Sequence, residues 1–179
     1  MHLHLPEWRD SQAVTRQVVT ALNLGVSKVV LSGARGDRLL LAGLSGDWSA
    51  TIRIDGNVGS ELAREMNSPG ITVLATGDVG AGAGSGLKAG RLLILGRSGA
   101  LAGTQIENGE IWCLGPAGNR LGYRASGGLI VVGDGLGLMA MDRRVSGTVR
   151  IQAFPNPSPE AANVKTVIDE ALNWSEDGT

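Results

Sequence analysis

A chain of 179 residues with 28 glycines but only one phenylalanine, one tyrosine and four tryptophans is long enough for one domain with a real core. That core has to be built from small and aliphatic side chains in thin layers. A formal charge of -1 gives no electrostatic footprint for nucleic acid or an anionic membrane, and one cysteine, Cys113, excludes an internal disulfide framework and a zinc site of several thiolates.

No apolar run is long enough to span a bilayer, and MHLHLPEWRD lacks the basic and apolar regions of a signal peptide. A cytoplasmic protein with no membrane or nucleic-acid partner is the expectation. His2 and His4, the only histidines, stand two apart at the terminus; a metal there would need further ligands from elsewhere, and no metal site is assigned. Residues 10 to 24 predict a helix, with Asp10 or Ser11 as N-cap, Val14, Val18, Ala21 and Leu22 on one face, and Gly25 as the stop. The stretch VSKVVLSGARGDRLLLAG then predicts two strands with a turn at Ala34 to Asp37.

From Thr51 the chain repeats. Short apolar runs start at 51, 71, 91, 110, 129 and 148, spaced 20, 20, 19, 19 and 19 residues apart. Each is followed by glycines in the pattern G-x-x-G-x-x-x-G: Gly77/Gly80/Gly84, Gly96/Gly99/Gly103 and Gly115/Gly118/Gly122. The outer units relax it to Gly56/Gly59/Ala63 and to Gly133/Leu136/Ala140, the latter keeping only its first glycine, and a partial copy, Gly43/Gly46/Ala50, precedes them. A fixed period of about 20 residues means a solenoid, with neighbouring rungs about 4.8 Å apart and glycines where backbones approach closely or need positive φ.

Period-2 alternation within the strands predicts an inward column of Ile52/Ile54, Ile71/Val73, Leu92/Ile94, Ile111/Cys113, Leu129/Val131 and Val149/Ile151. Cys113 is then a small buried hydrophobe. The intervening residues, Arg53, Thr72, Leu93, Trp112, Ile130 and Arg150, should point outward. Among them Leu93, Trp112 and Ile130 form an apolar stripe flanked by Arg53 and Arg150, which serves either as an interface or as a seat for the N-terminal helix or a loop of the same chain.

The glycine-rich TGDVGAGAGSGLKAG contains Gly84-Ser-Gly86-Leu-Lys-Ala89, a relaxed dinucleotide fingerprint. That motif needs a helix to start at its glycines, and here Gly90 and RLLILG follow, leaving no room for one. The repeat accounts for Gly77, Gly80 and Gly84 but leaves Gly82 and Gly86 without a reason. Past the Pro-rich FPNPSP, a helix from Pro159 to about Trp174 is predicted, with Ser158 as N-cap and Val164, Val167, Ile168 and Ala171 as its apolar stripe. Both terminal helices are expected to cover the ends of the stack.

The fold expected is all-β, a single right-handed parallel β-helix of about six rungs of 19–20 residues, divided as a cap (1–37), the β-helix (38–153), and a loop with a C-terminal helix (154–179). The body of the repeat holds no histidine, so neither a Ser-His-Asp nor a Cys-His arrangement is possible there, and no catalytic residue is assigned. Were the rung loops a ligand site, Asp78, Lys88, Arg97 and Asp134 would be its polar contributors.

The glycine pattern, the 19-residue period and the solenoid they imply resemble the GXGXG domain family, which occurs as the C-terminal β-helix of the glutamate synthase large subunit, as one of the subunits of formylmethanofuran dehydrogenase and in related free-standing proteins. The resemblance runs from about Arg38 to Ile151 and is clearest in GDVGAGAGSGLKAGRLLILG (77–96) and GRSGALAGTQIENGEIWCLG (96–115). It implies a non-catalytic structural subunit that braces a multisubunit enzyme and binds no cofactor itself. Any flavin, iron–sulfur or metal centre would belong to partner subunits. An independent enzyme or ligand-binding module, or a homo-oligomeric structural protein, is the alternative.

Overall fold

The structure, a computed structural model, describes residues 1–5, 10–143, 145 and 159–174. Its elements are β1 (His2–His4), α1 (Ser11–Asn23), β2 (Lys28–Asp37), β3 (Ala50–Val58), β4 (Asn67–Ala75), β5 (Ala89–Ile94), β6 (Glu110–Ala117), β7 (Leu129–Leu136) and α2 (Pro159–Leu172). The seven strands form one sheet in sequence order, each parallel to the last. Parallel neighbours require a crossover, and with every crossover advancing one strand the chain winds as a β-solenoid of about five turns. The expected Val149, Arg150 and Ile151 positions and the Ser158 N-cap lie outside the described residues.

The stack starts earlier than the repeat pattern suggests. VSKVVLSGARGDRLLLAG is not two strands: β2 continues through Ala34 to Asp37, its register broken at the left-handed Gly33 and Gly36, and the following residues, Arg38 to Leu44, are turns that complete the first coil. The boundary at 37/38 thus falls inside a coil. α1 forms as expected, with the Asp10 carboxylate accepting from Gln12 N at 2.9 Å. Its Val14, Val18 and Leu22 are buried in the same cluster as Leu31, Leu40 and Leu41 of the first coil.

Strand register corrects the inward column. Ile52 pairs with Val73, Val73 with Leu92, Leu92 with Ile111 and Ile111 with Ile130. Thus Ile130 and Val132 face the interior and are 0% and 4% exposed within the interior cluster, while Leu129 and Val131 lie on the outer side. The outer column is Arg53, Leu74, Leu93, Trp112 and Val131, with Leu74 in the place expected for Thr72 and Val131 in the place expected for Ile130. The first error arises where extra residues loop out between Asn67 and Thr72; the second arises although Ile111 and Ile130 keep the 19-residue spacing, because the apolar Leu129 stands where β6 carries Glu110, and alternation counted from Leu129 is one residue early.

An offset between β6 and β7 around Pro116 explains the fifth unit. Gly135, with φ 55°, is an inserted residue, and the central glycine is not lost to Leu136 but is supplied by Gly137. Gly80, Gly99, Gly118 and Gly137 each donate N–H to the coil before, to Val58, Val79, Ser98 and Ala117 carbonyls at 2.8–2.9 Å. A Cβ on Gly99 would lie 2.6 Å from Ala81 N and from Gly80 C, backbone atoms that cannot move aside.

After this column every coil makes the same corner, in which alternate residues are left-handed. The set is Leu39/Leu41/Gly43, Glu61/Ala63/Glu65, Gly82/Gly84/Gly86, Leu101/Gly103/Gln105, Arg120/Gly122/Arg124 and Met139/Met141/Arg143. Hydrogen bonds such as Arg64 N to Glu61 O and Met66 N to Ala63 O close overlapping turns with the left-handed residue third, the type II arrangement. The Gly43/Gly46/Ala50 copy is therefore misaligned, since Gly43 occupies the third left-handed place and the equivalents of Gly56, Gly59 and Ala63 in the first coil are Ala34, Gly36 to Asp37, and Leu41.

The third glycine of each unit differs from the first two, and of the two purposes expected of the glycines, close approach and positive φ, it serves the second. The first meets backbone, as the second does: a Cβ on Gly115 would lie 2.4 Å from Gly96 O. Gly122, by contrast, is buried at φ 63°, and its Cβ would meet side chains, Met141 Sδ at 2.5 Å and Ile130 Cδ1 at 3.1 Å. Gly84 and Gly103 likewise face Ile111 Cδ1 and Ile130 Cδ1, at 2.6 and 2.9 Å. These three make room for the interior side chains of the coils that follow, and Gly122 N still donates along the stack to Ala102 O at 2.8 Å. Ala63 and Met141 fill the same place in other coils, so Gly122 is a packing residue and not a point of backbone contact.

Two glycine substitutions separate close approach from left-handed conformation. Gly99→Ala, which forces backbone apart, should cost about 2–3 kcal/mol. Gly82→Ala, at φ 74° with its nearest neighbour the flexible Glu61 Cγ at 3.3 Å, should cost about 1 kcal/mol. Urea unfolding curves of the two variants measure both, and equal costs would contradict the stacking argument.

Candidate functional site

The outer column is where the residues singled out from sequence meet. Leu74, Leu93, Trp112 and Val131, on four successive strands, form a second apolar cluster with Ala161, Val164, Ile168 and Ala171 of α2. The stripe is thus covered by the chain's own C-terminal helix, rather than by α1. α2 does not lie on an end of the stack; it lies against the outer side of the sheet. Trp112, 2% exposed, is the largest buried side chain in this seam, and its Nε1 donates to Glu110 Oε2 at 3.0 Å.

Arg53 fixes the other end of the helix. It is 8% exposed, so its charge has to be matched. Its Nη1 donates to Ala171 O at 2.7 Å and to Trp174 O at 3.4 Å, while Nε and Nη2 donate to Asp55 Oδ2 at 3.2 and 2.8 Å. A guanidinium on the last-turn carbonyls satisfies acceptors that a helix leaves open and opposes the negative end of its dipole. Lys28 Nζ lies 5.4 Å from the Trp174 ring centroid, a cation–π contact at the same place. Of the interface residues read from sequence, Arg53, Leu93 and Trp112 come together here, Ile130 is interior, and Arg150 lies outside the described residues. Sequence reasoning misses Asp55, Lys28 and Leu74; Asp55 is signalled only by its place two residues from Arg53, on the same side of the strand.

A groove of about 670 Å³ runs over several coils beside the start of the strands, lined in part by Gly70, Gly90, Gly109 and Gly128. Its walls carry Arg91 and Glu110, paired at 2.7 Å from Arg91 Nε to Glu110 Oε2. Glu110 therefore belongs both to the groove and, through Trp112, to the helix seam.

Of the four polar residues expected of a ligand site, Asp78, Arg97 and Asp134 fall in one column along the stack, and Lys88 stands apart. None of Asp78, Lys88, Arg97 and Asp134 lines the groove. Asp78 Oδ1 accepts from Arg97 N at 2.8 Å, as Asn57 Oδ1 accepts from Asp78 N at 2.9 Å, so these side chains tie one coil to the next. Asp134 follows in the same column opposite Pro116, whereas Lys88 sits past the left-handed corner with its N–H on Met66 O. Among the described residues no group of three or more His, Cys, Asp or Glu is placed to hold a metal, and no helix is long and apolar enough to cross a membrane.

Cys113 lies fully buried in the interior. Burial pushes its thiol up to about 11, while Ser98 pulls more weakly the other way. The Ser98 hydroxyl has no oxygen or nitrogen partner, and the sulfur beside it is a weak one.

Comparison with protein-family models, with curated proteins and with solved structures finds no match to this chain.

Removing the Arg53 clamp should loosen α2 and leave the solenoid intact. Arg53→Ala is expected to cost about 2–3 kcal/mol, the range for charged hydrogen bonds, and to raise hydrogen exchange in 159–174 while β4 to β6 stay protected. Exchange rising equally in the strands would contradict the separation of the two clusters. For Cys113 the folded state holds the proton while the unfolded thiol, near 9.0, releases it. Stability should therefore fall as pH rises from about 9 towards 11, by up to about 1.4 kcal/mol per pH unit from this group, and Cys113→Ala should flatten that part of the stability–pH curve.

Proposed function

We propose that this chain is a non-catalytic structural subunit that scaffolds a cytoplasmic multisubunit enzyme, of the glutamate synthase-like (glutamine amidotransferase and flavin) or formylmethanofuran dehydrogenase-like (formyltransferase and hydrolase) type, as a GXGXG-family β-helix. In this reading the winding is right-handed, the hand of nearly all parallel crossovers, the coils number about six, and α1 closes the first end. The observation that carries it is the use made of the outward polar side chains. Asn57 and Asp78 bond one coil to the next and Arg53 holds α2 to the sheet, so these groups build a rigid body instead of a site. A rigid rod with a helix along one side fits the task of setting the separation of larger catalytic parts, whose cofactors would be their own.

One observation favours a second reading, a ligand-binding module. The groove at Gly70, Gly90, Gly109 and Gly128 falls within the usual size of small-molecule sites, and Arg91 and Glu110 would be its polar contacts. Association with itself through the stripe would require α2 to leave its seat.

Purification of the untagged protein from its source at native abundance, with the mass of the purified species measured by light scattering, distinguishes these. Scaffolding predicts co-purifying enzyme subunits in fixed ratio. A lone monomer contradicts it, and a pure homo-oligomer selects the self-association reading.

A further inference from the structure

The first strand carries a feature that the structural role does not use. His2 and His4 lie on one side of β1, because alternate residues of a strand share a face, while Leu3 between them packs against the interior. Pairing of His2 with Val30 and His4 with Ser32 fixes both backbones against β2. Both imidazoles then converge on one atom: His2 Nε2 lies 2.8 Å and His4 Nδ1 3.1 Å from Ser32 Oγ. The neighbouring backbone leaves room for this, since a Cβ at Gly33 would stand 2.9 Å from His4 Cε1. These two are the only histidines of the chain.

We propose that His2 and His4 form a two-imidazole chelate for a borderline divalent transition-metal ion of the Zn²⁺ class. Imidazole nitrogen suits Zn²⁺, Cu²⁺ and Ni²⁺ and is a poor match for Mg²⁺ or Ca²⁺, which take oxygen ligands. A tetrahedral ion with Zn–N bonds of about 2.0–2.1 Å needs the two nitrogens about 3.3 Å apart. Both nitrogens lie within hydrogen-bond distance of the one Ser32 oxygen, and both side chains are exposed, so a rotation of the rings is the adjustment that would bring them to that separation. The Ser32 hydroxyl has one proton, so it donates to one ring nitrogen and accepts from the other. Its oxygen occupies the position towards which both nitrogens point, and with a metal bound it would bond a coordinated water. Two protein ligands leave the other positions to water, so the ion would be exchangeable, and its binding would hold β1 extended on the edge of the sheet.

The test is a calorimetric titration of the untagged full chain with ZnCl2, beside MgCl2, for the unmodified protein and for His2→Gln and His4→Gln. Expected are one zinc ion per chain, no uptake of magnesium, and a loss of at least about tenfold in zinc affinity in each variant, the level at which even outer-shell partners of a metal act. In imidazole ¹H–¹³C spectra of the unmodified protein both Hε1 signals should move together as zinc is added, a readout that does not depend on the variants folding. No zinc uptake, equal uptake of magnesium, an unchanged affinity in either variant, or movement of one histidine alone would overturn the chelate.

Discussion

The structure depends on one constraint, the contact of backbone with backbone along the column Gly59, Gly80, Gly99, Gly118 and Gly137. A Cβ at any of these positions would come within 3 Å of main-chain atoms in the coil before, so the coils can stack at sheet spacing only where that atom is missing. The stacking then provides each coil with partners for the groups it exposes: N–H of Gly99 to Val79 O, N–H of Leu101 forward to Asn119 O, N–H of Gly103 back to Ala83 O. Buried main-chain groups need such partners. The poverty in aromatic residues follows from the same geometry, because the space enclosed between the sheet and the left-handed corner is filled by aliphatic side chains, Leu62, Ala83, Ala102 and Leu121 from the corners with Ile52, Val73, Leu92 and Ile111 from the strands.

Since the interior is closed by stacking, the outer side of the sheet is energetically a separate problem. An apolar column on a solvent-facing sheet is costly when left bare, and here α2 removes it from water. The two apolar clusters share no residue: one holds the coils, the other holds the helix. Arg53 works at their border. It stands in the outer column one place before Leu74, so it extends the same stripe that α2 covers, but it meets the helix where the carbonyls are unpaired and an apolar residue would leave them so. The position of a charge in an otherwise aliphatic column is thereby explained by the end of the helix that lies over it.

Much of the fold is legible in the sequence, and the residues that sequence places wrongly are misplaced in register. Periodicity reveals the parallel solenoid and both helices, because glycine spacing and apolar alternation are set by local geometry that repeats. Register is not local. A single residue added or removed turns a strand's side chains to the opposite face, and compensating changes such as the inserted Gly135 and the looped residues between Asn67 and Thr72 leave the average period almost untouched. The looped residues are why alternation passes over Leu74; Ile130 is put outside and Val131 inside because the apolar Leu129, in the place of Glu110, starts the alternation one residue early. The glycine period hides a distinction of the same kind: Gly118 and Gly122 recur with equal regularity, yet one meets main chain and the other the side chains of Met141 and Ile130, a difference that only the path of the coil reveals. The seating of α2 is legible only in part: its apolar stripe is apparent, but the column that receives it is complete only once Leu74 and Val131 are in register with Leu93 and Trp112.

The glycine excess at Gly82 and Gly86 also resolves into physical parts. Both residues take left-handed places of the corner, and so do Glu61, Leu101 and Arg120 in one column and Glu65, Gln105 and Arg124 in the other. Positive φ therefore permits glycine there without requiring it, since other coils bear the strain of an L-residue, about 1–2 kcal/mol each. What distinguishes this coil is its neighbour: Glu61 Cγ and Glu65 Cγ would stand 3.3 and 3.1 Å from Cβ atoms at Gly82 and Gly86. Both carboxylates are drawn to Arg64, at 2.9 and 3.1 Å, which keeps their stems lying over the two glycines and raises the guanidinium above its ordinary value, through the Glu65 hydrogen bond first. TGDVGAGAGSGLKAG thus combines two demands: Gly77 and Gly80 allow backbone to meet backbone, while Gly82 and Gly86 relieve a left-handed corner and make room for a charged triplet on the coil before. A phosphate-binding loop needs free N–H groups converging outward. Here the N–H groups of Gly80, Gly82, Gly84 and Gly86 all point along the stack to carbonyls of adjacent coils, so the main chain of this stretch is already committed to holding the solenoid together.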